Sequence, residues 1–149
     1  MTTTTGRPMF LVHASVAVTD SQGRLLVVQE EKPASYLKWN LPGGHVDLGE
    51  PPPVAGRRET LEETGLDLPV EGLLGIYQSS VSLRFVFVAQ LGDEMPRAGD
   101  QILAVKFMTI DEVLAMTDEQ LVSGKMFRAI LRDLKASRRF PLDTFRSLE

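Results

Sequence analysis

The segment from Gly44 to Leu66, GHVDLGEPPPVAGRRETLEETGL, constrains this chain more than any other stretch. Pro51, Pro52 and Pro53 cannot lie inside a helix, yet proline is favoured in a helix's first turn. Gly65 offers a left-handed stop. A helix is therefore expected from about Pro53 to Thr64. On it Glu59, Glu62 and Glu63 fall at i, i+3 and i+4, so one face carries all three carboxylates. Like charges at that spacing repel, and a divalent cation resolves the conflict, with hard carboxylate oxygens suiting Mg²⁺. The face reads as a metal site that handles phosphates. A salt-bridged surface helix, with Arg58 paired to Glu62, is the alternative. It accounts for the acids but not for the Gly43-Gly44 turn, the distant Glu50 and the closing Gly65 together.

Other classes are excluded by composition. With no cysteine among 149 residues, disulfides, thiolate catalysis and Cys–zinc sites are ruled out. No apolar run is long enough to span a membrane. Met1 to Pro8 is Thr-rich without an apolar core, and is expected to be a disordered start, not a signal peptide. The length then fits one domain over residues 9–149. The expected setting is the cytoplasm, as a monomer or homodimer. A net charge of −4 argues against polymeric nucleic acid as a partner. The C-terminal end is basic all the same, with Lys125, Arg128, Arg132, Lys135, Arg138, Arg139 and Arg146, either a solvated face or an attraction for anions.

Strands are expected over Phe10–Val18 and Arg24–Gln29, joined as a hairpin by the turn-forming Thr19-Asp20-Ser21-Gln22-Gly23. Further strands are expected over Val70–Gln78, Val81–Leu91 and Ile102–Met108. In the Val81–Leu91 run, Leu83, Phe85, Phe87 and Ala89 alternate with Val86 and Val88, so both faces are covered, as in a central strand. A short helix follows from Ile110 or Asp111 to Ala115. Asp118 is placed to cap a longer one reaching about Ser137. Strands, helix, strands, helix is the order of an α/β fold, a mixed sheet between helical layers.

The segment resembles the box of the Nudix hydrolase family. Gly44, five residues, Glu50, seven residues, Arg58-Glu59, Glu62-Glu63, Gly65 and Leu66 all fall in place. Trp39-Asn40-Leu41-Pro42-Gly43-Gly44 is similar to the family's approach to the box. One position departs: Thr60 stands where an apolar residue is usual. The resemblance implies the family's α/β/α sandwich. It also implies hydrolysis of a phosphoanhydride bond in a nucleoside di- or triphosphate or related diphosphate-linked small molecule, with Mg²⁺ as cofactor and Mn²⁺ as a substitute. Carried over, it gives Glu59 and Glu63 as first metal ligands, with Glu62 beside them and the Gly43 carbonyl as another. Arg58, whose planar fork suits a carboxylate, would hold Glu50 outside the metal's own ligands. Glu59, Glu62, Arg58 and Glu50 thus form the expected catalytic set. Short motifs, Leu26-Val27-Val28-Gln29-Glu30, Arg84-Phe85 and Arg139-Phe140-Pro141-Leu142, are also similar to a bacterial branch of unspecific phosphatases. These act on nucleoside tri- and diphosphates and a thiamine-pathway pyrimidine diphosphate. A nucleotide-binding sensor is the other class, but it would be marked by a lost box carboxylate, and none is lost.

The general base is expected among the box glutamates, Glu59 first. Asp100, in the loop that also holds Glu94 and Gln101, is the second choice. For substrate contacts, Trp39 and Tyr36 offer rings before the glycine turn, Arg84 a charge amid strand residues, and Asp100 a carboxylate. Phe107 and Tyr77 are expected in the core. Metal binding by His13 and His45 would require them to converge.

Overall fold

The computed structural model describes residues 5–148. The expected disordered start therefore lies in part outside the described residues. Strands β1 (Leu11–Thr19) and β2 (Leu25–Glu30) are joined by the expected turn. There the Asp20 carboxylate accepts the N–H groups of Gln22 and Arg24 and the Arg24 side chain. A full hairpin does not follow, since the strands meet only at Thr19 and Leu25. Past that point they part. β1 pairs antiparallel with β4 (Gly43–His45), while β2 pairs antiparallel with β3 (Trp39–Asn40) and β7 (Ile102–Met108). On its other edge β1 runs parallel to β6 (Ser82–Gln90), which takes β5 (Gly72–Gln78) antiparallel. The result is a seven-stranded mixed sheet, forked between β2 and β4.

Helices cover both faces, giving the expected α/β/α layering. Ala14, Val16 and Val18 of β1 pack with Leu26, Phe87 and Ala89 on the side of α1 (Pro52–Thr64). Ala17 packs with Leu25, Val27 and Val86 against Val113 of α2 (Ile110–Leu114) and Phe127, Ile130 and Leu131 of α3 (Gly124–Lys135). α1 reaches the sheet through small residues. A Cβ at Gly56 would stand 3.1 Å from Val16 Cγ2, so the helix lies close on β1. Thr60, the odd residue of the box, is buried without cost. Its hydroxyl donates to the Gly56 carbonyl at 2.8 Å, as that of Thr64 does to Thr60 at 2.7 Å, and no polar atom is stranded. Gly65 closes the helix at φ 74°, its N–H donating to the Leu61 carbonyl.

The long C-terminal helix starts later than expected, at Gly124. Asp118 does not cap it. The Asp118 carboxylate is taken by Arg128, and the following turn is held to β3 by two backbone bonds, Trp39 N–H to Gln120 and Val122 N–H to Trp39. The loop after β6 docks on the end of α1. The N–H groups of Arg97, Gly99 and Asp100 donate to the carbonyls of Thr64, Glu63 and Glu62, which a helix end otherwise leaves unpaired. Among the described residues no helix is long and apolar enough to cross a membrane.

Candidate active site

α1 and β4 together position the box side chains. Arg58 is the hub. Its Nε and Nη2 grip Glu50 at 2.8 and 3.0 Å, a two-point pair. Nη1 donates to Glu59 at 3.0 Å and to both Glu62 oxygens at 3.2 Å, and Nη2 reaches the His45 carbonyl at 3.2 Å. Glu50 also accepts the Asp47 N–H. Its carboxyl is held below the ordinary carboxylate range by the Arg58 hydrogen bonds, against the opposing cost of burial.

The other carboxylates press against the two glycines. Glu63 is buried and its Oε1 accepts the Gly43 N–H at 2.8 Å. The Glu59 carboxylate lies where a side chain on Gly44 would be, 2.6 Å from that absent Cβ. Gly43 itself lies against β1, where a Cβ would come 2.5 Å from the Ala14 carbonyl. Burial pushes the Glu63 carboxyl up to about 8, with the neighbouring Glu59 and Glu30 adding to the shift. Burial likewise raises Glu59, partly offset by Arg58.

The expected three-carboxylate cation face is not gathered. Among the described residues no three His, Cys, Asp or Glu side chains converge as a metal site. Arg58 draws Glu59 and Glu62 to itself, while Glu63 turns to the Gly43 N–H, not the carbonyl. The donor chemistry nevertheless fits a hard divalent cation. Glu63 is buried, forms no ion pair among the described residues, and has a second carboxylate one helical turn away.

A second group of residues lines a cavity of about 160 Å³ at the sheet's fork. Strand register builds it. Arg84 faces His13 across the parallel β6–β1 pair, and His13 faces His45 across β1–β4. The two imidazoles meet edge to face, 4.4 Å between centroids. They do converge, but with each other and not around a third ligand. Burial, then the nearby Arg84 charge, brings His13 down to about 4, so its ring is neutral. Glu30, at the end of β2, accepts from Asn40 Nδ2 and Ser35 Oγ at 3.0 Å each. Ser15 and Lys32 were not singled out by sequence, and Glu30 only as the end of a short motif, because only the fork brings them beside Gly43 and Gly44.

The remaining expected residues scatter. Asp100 is exposed at the end of α1, tied by its backbone to Glu62. Tyr36 is 55% exposed in the loop after β2 and lines neither cavity described here. Trp39 packs on the core beneath α3. Phe107 and Tyr77 are both half-buried and pack against the core, and Tyr77 also lines a larger cavity of about 730 Å³ beside α3, its hydroxyl donating to Asp133 at 2.7 Å. Of the basic C-terminal residues, Arg128 and Lys135 pair with Asp118 and Asp111, and Arg139 donates to the Glu71 carbonyl.

Residues 9–130 match the family model of the NUDIX domain. The chain belongs to the NUDIX family. Membership implies a hydrolase, consistent with the intact box. A MutT-like protein of Streptomyces ambofaciens is 32% identical over 111 residues, 73% of this chain and 70% of that one. Phosphatase NudJ of Escherichia coli K12 is 27% identical over 143 residues, 91% of each chain. Among solved structures, a NUDIX hydrolase from Nitrosomonas europaea superposes with a TM-score of 0.81 at 28% identity, covering 93% of this chain and 97% of that one. This NUDIX chain thus matches relatives over most of its own length, not in one motif alone.

Proposed function

We propose that this chain cleaves a phosphoanhydride bond in a nucleoside di- or triphosphate, or a related diphosphate-linked small molecule, with a divalent cation as cofactor. The observation that carries the reading is Glu63, a buried carboxylate without an ion pair among the described residues, set beside Glu59 against the glycine pair of β4. The relative named phosphatase NudJ supports a phosphate-bearing substrate.

Glu59, Glu62 and Glu63, with the Gly43 carbonyl, would hold Mg²⁺ or Mn²⁺. The ion would neutralise diphosphate charge and lower the pKa of a bound water. Arg58 stays charged at any working pH and orients the carboxylates around it, with Glu50 fixing its plane. Water adds to phosphorus as the bridging P–O bond breaks, and that bond's electron pair leaves on the departing phosphate. The water's proton passes to a carboxylate, Glu59 by preference and Asp100 as the alternative.

Turnover of nucleotide and pyrimidine diphosphates should vanish in excess chelator and return with Mg²⁺ or Mn²⁺. Undiminished turnover without metal overturns the reading. At saturating Mg²⁺, Glu59→Gln should lose about 10²–10⁴ in kcat if Glu59 is the base, and Asp100→Asn should show that loss if it is not.

A further inference from the structure

Glu62 and Glu63 lie in the last turn of α1, where a helix leaves its carbonyls without intrahelical partners and frays first. Carboxylates in a fraying turn are poorly placed to hold an ion. Here the turn is held from outside. The N–H groups of Arg97, Gly99 and Asp100 donate to the carbonyls of Thr64, Glu63 and Glu62 at 2.9, 2.9 and 3.1 Å. The helix does not need this loop in order to stop, since Gly65 already ends it by donating to the Leu61 carbonyl. The close approach demands glycine at position 99. A Cβ there would overlap the Glu62 carbonyl oxygen and stand 3.1 Å from the carbonyl carbons of both Glu62 and Glu63. These are backbone atoms of the turn itself, so none can swing aside. The Arg97 side chain lies over Gly65, its Cζ 3.2 Å from where a Cβ would be, which puts a positive charge at the negative end of α1.

The same stretch is fixed at its other end. The Ile102 N–H donates to the Gly99 carbonyl at 3.3 Å, and between them Gln101 takes φ 58°, a left-handed conformation uncommon outside glycine. The Gln101 carbonyl accepts the Glu31 N–H at 3.0 Å. Glu31 precedes Lys32, which lines the cavity at the fork and favours the charged forms of Glu59 and Glu63. One loop thus joins the carboxylate-bearing turn of α1 to the end of β2 that leads into Lys32. We propose that Arg97 to Gln101 is a backbone brace that holds the last turn of α1 in place for metal binding, with Gly99 as its positioning residue. Gly99 acts through the carbonyls of Glu62 and Glu63 and itself touches no reacting atom. This role rests on the hydrolase reading and adds to it a residue outside the box.

Gly99→Ala tests the brace, with Gly92→Ala in the same loop as control, since a Cβ at Gly92 would meet only the Glu94 carboxylate at 3.6 Å. Mn²⁺ affinity is read by titration calorimetry, turnover at saturating Mn²⁺, and melting in chelator. Gly99→Ala should bind Mn²⁺ about 10- to 100-fold more weakly and lose kcat by a similar factor, with KM changed less than about threefold. Gly92→Ala should match wild type in all three measurements. A lower melting point with Mn²⁺ affinity and kcat intact would mark Gly99 as merely structural and overturn the brace. Should Gly99→Ala not fold, amide hydrogen exchange on wild type decides. The N–H groups of Arg97, Gly99 and Asp100 should exchange as slowly as those in the last turn of α1 and slow further in saturating Mg²⁺, while those of Gly92 and Asp93 stay unchanged. Bound Mg²⁺ that leaves the first three unaffected overturns the brace. Metal affinity that depends on Gly99, without turnover in wild type, keeps the brace and overturns the hydrolase, whereas metal-dependent turnover indifferent to Gly99→Ala does the reverse. Wild type that binds no metal overturns both.

Discussion

Glu63 is ionisable, buried and flanked by Glu59 and Glu30, and in metal-free protein these facts decide its proton. Its ordinary value of 4.5 is pushed up to about 8 in the fold. Between those values the folded state binds more protons than the unfolded one, so Glu63's contribution to stability falls as pH rises. That contribution is fully present below 4.5 and is lost through about 8. Its size is roughly a few kcal/mol. His13 works the other way. It drops from 6.5 to about 4, so its contribution to stability is present above 6.5 and is lost as pH falls toward 4. Total stability therefore mixes two signs, and the informative quantity is the difference between wild type and Glu63→Gln. In chelator, urea unfolding across this range should show wild type losing ground steadily to Glu63→Gln as pH rises. Parallel curves would mean that Glu63 is not held protonated.

β4 carries two adjacent glycines for different reasons, and each reason has its own signature. A Cβ at Gly43 would run into backbone, the Ala14 carbonyl at 2.5 Å, which cannot move aside without parting β4 from β1. A Cβ at Gly44 would meet only the end of the Glu59 side chain at 2.6 Å, which can swing away. Gly43→Ala should therefore destabilise by about 1–3 kcal/mol. Gly44→Ala should stay within about 1 kcal/mol of wild type and yet lose activity, because Glu59 is displaced. Thermal melts paired with initial rates separate the two, and equal melting losses would refute the distinction. The contrast also shows which elements sequence could reveal. α1 was legible because proline and glycine mark its ends by local backbone chemistry. β4 was not, since a three-residue strand exists only through its pairing with His13, Ala14 and Ser15. The start of α3 was misread for a similar reason. Asp118 has the chemistry of a cap, but Arg128 takes it, and the turn after it belongs to Trp39.

Across the whole molecule, the fork in the sheet is where α1, β4 and the α3 layer converge. Sequence marked one wall of that place, the box. It named Arg84, His13 and His45 singly but could not show that they meet, because they are aligned by register between strands distant along the chain. The carboxylates of the box are assembled only when the layers are packed, and in the metal-free fold Arg58 is shared among Glu50, Glu59 and Glu62 while Glu63 has no ion pair among the described residues. A cation that binds there binds the folded state in preference to the unfolded one, and so stabilises the entire domain by mass action. At a hundredfold excess over its Kd the gain is about 2.7 kcal/mol. For a chain of 149 residues that corresponds to a rise in Tm of roughly 5–10 °C. Mg²⁺ or Mn²⁺ added to chelator-treated protein should produce this shift, whereas NaCl at matched ionic strength should not. The double variant Glu59→Gln/Glu63→Gln should lose it. The shift should also grow with pH toward about 8, because Glu63 must release its proton before it can act as a ligand. A wild-type Tm that neither ion moves at any pH in that range would leave the box carboxylates without a metal to hold.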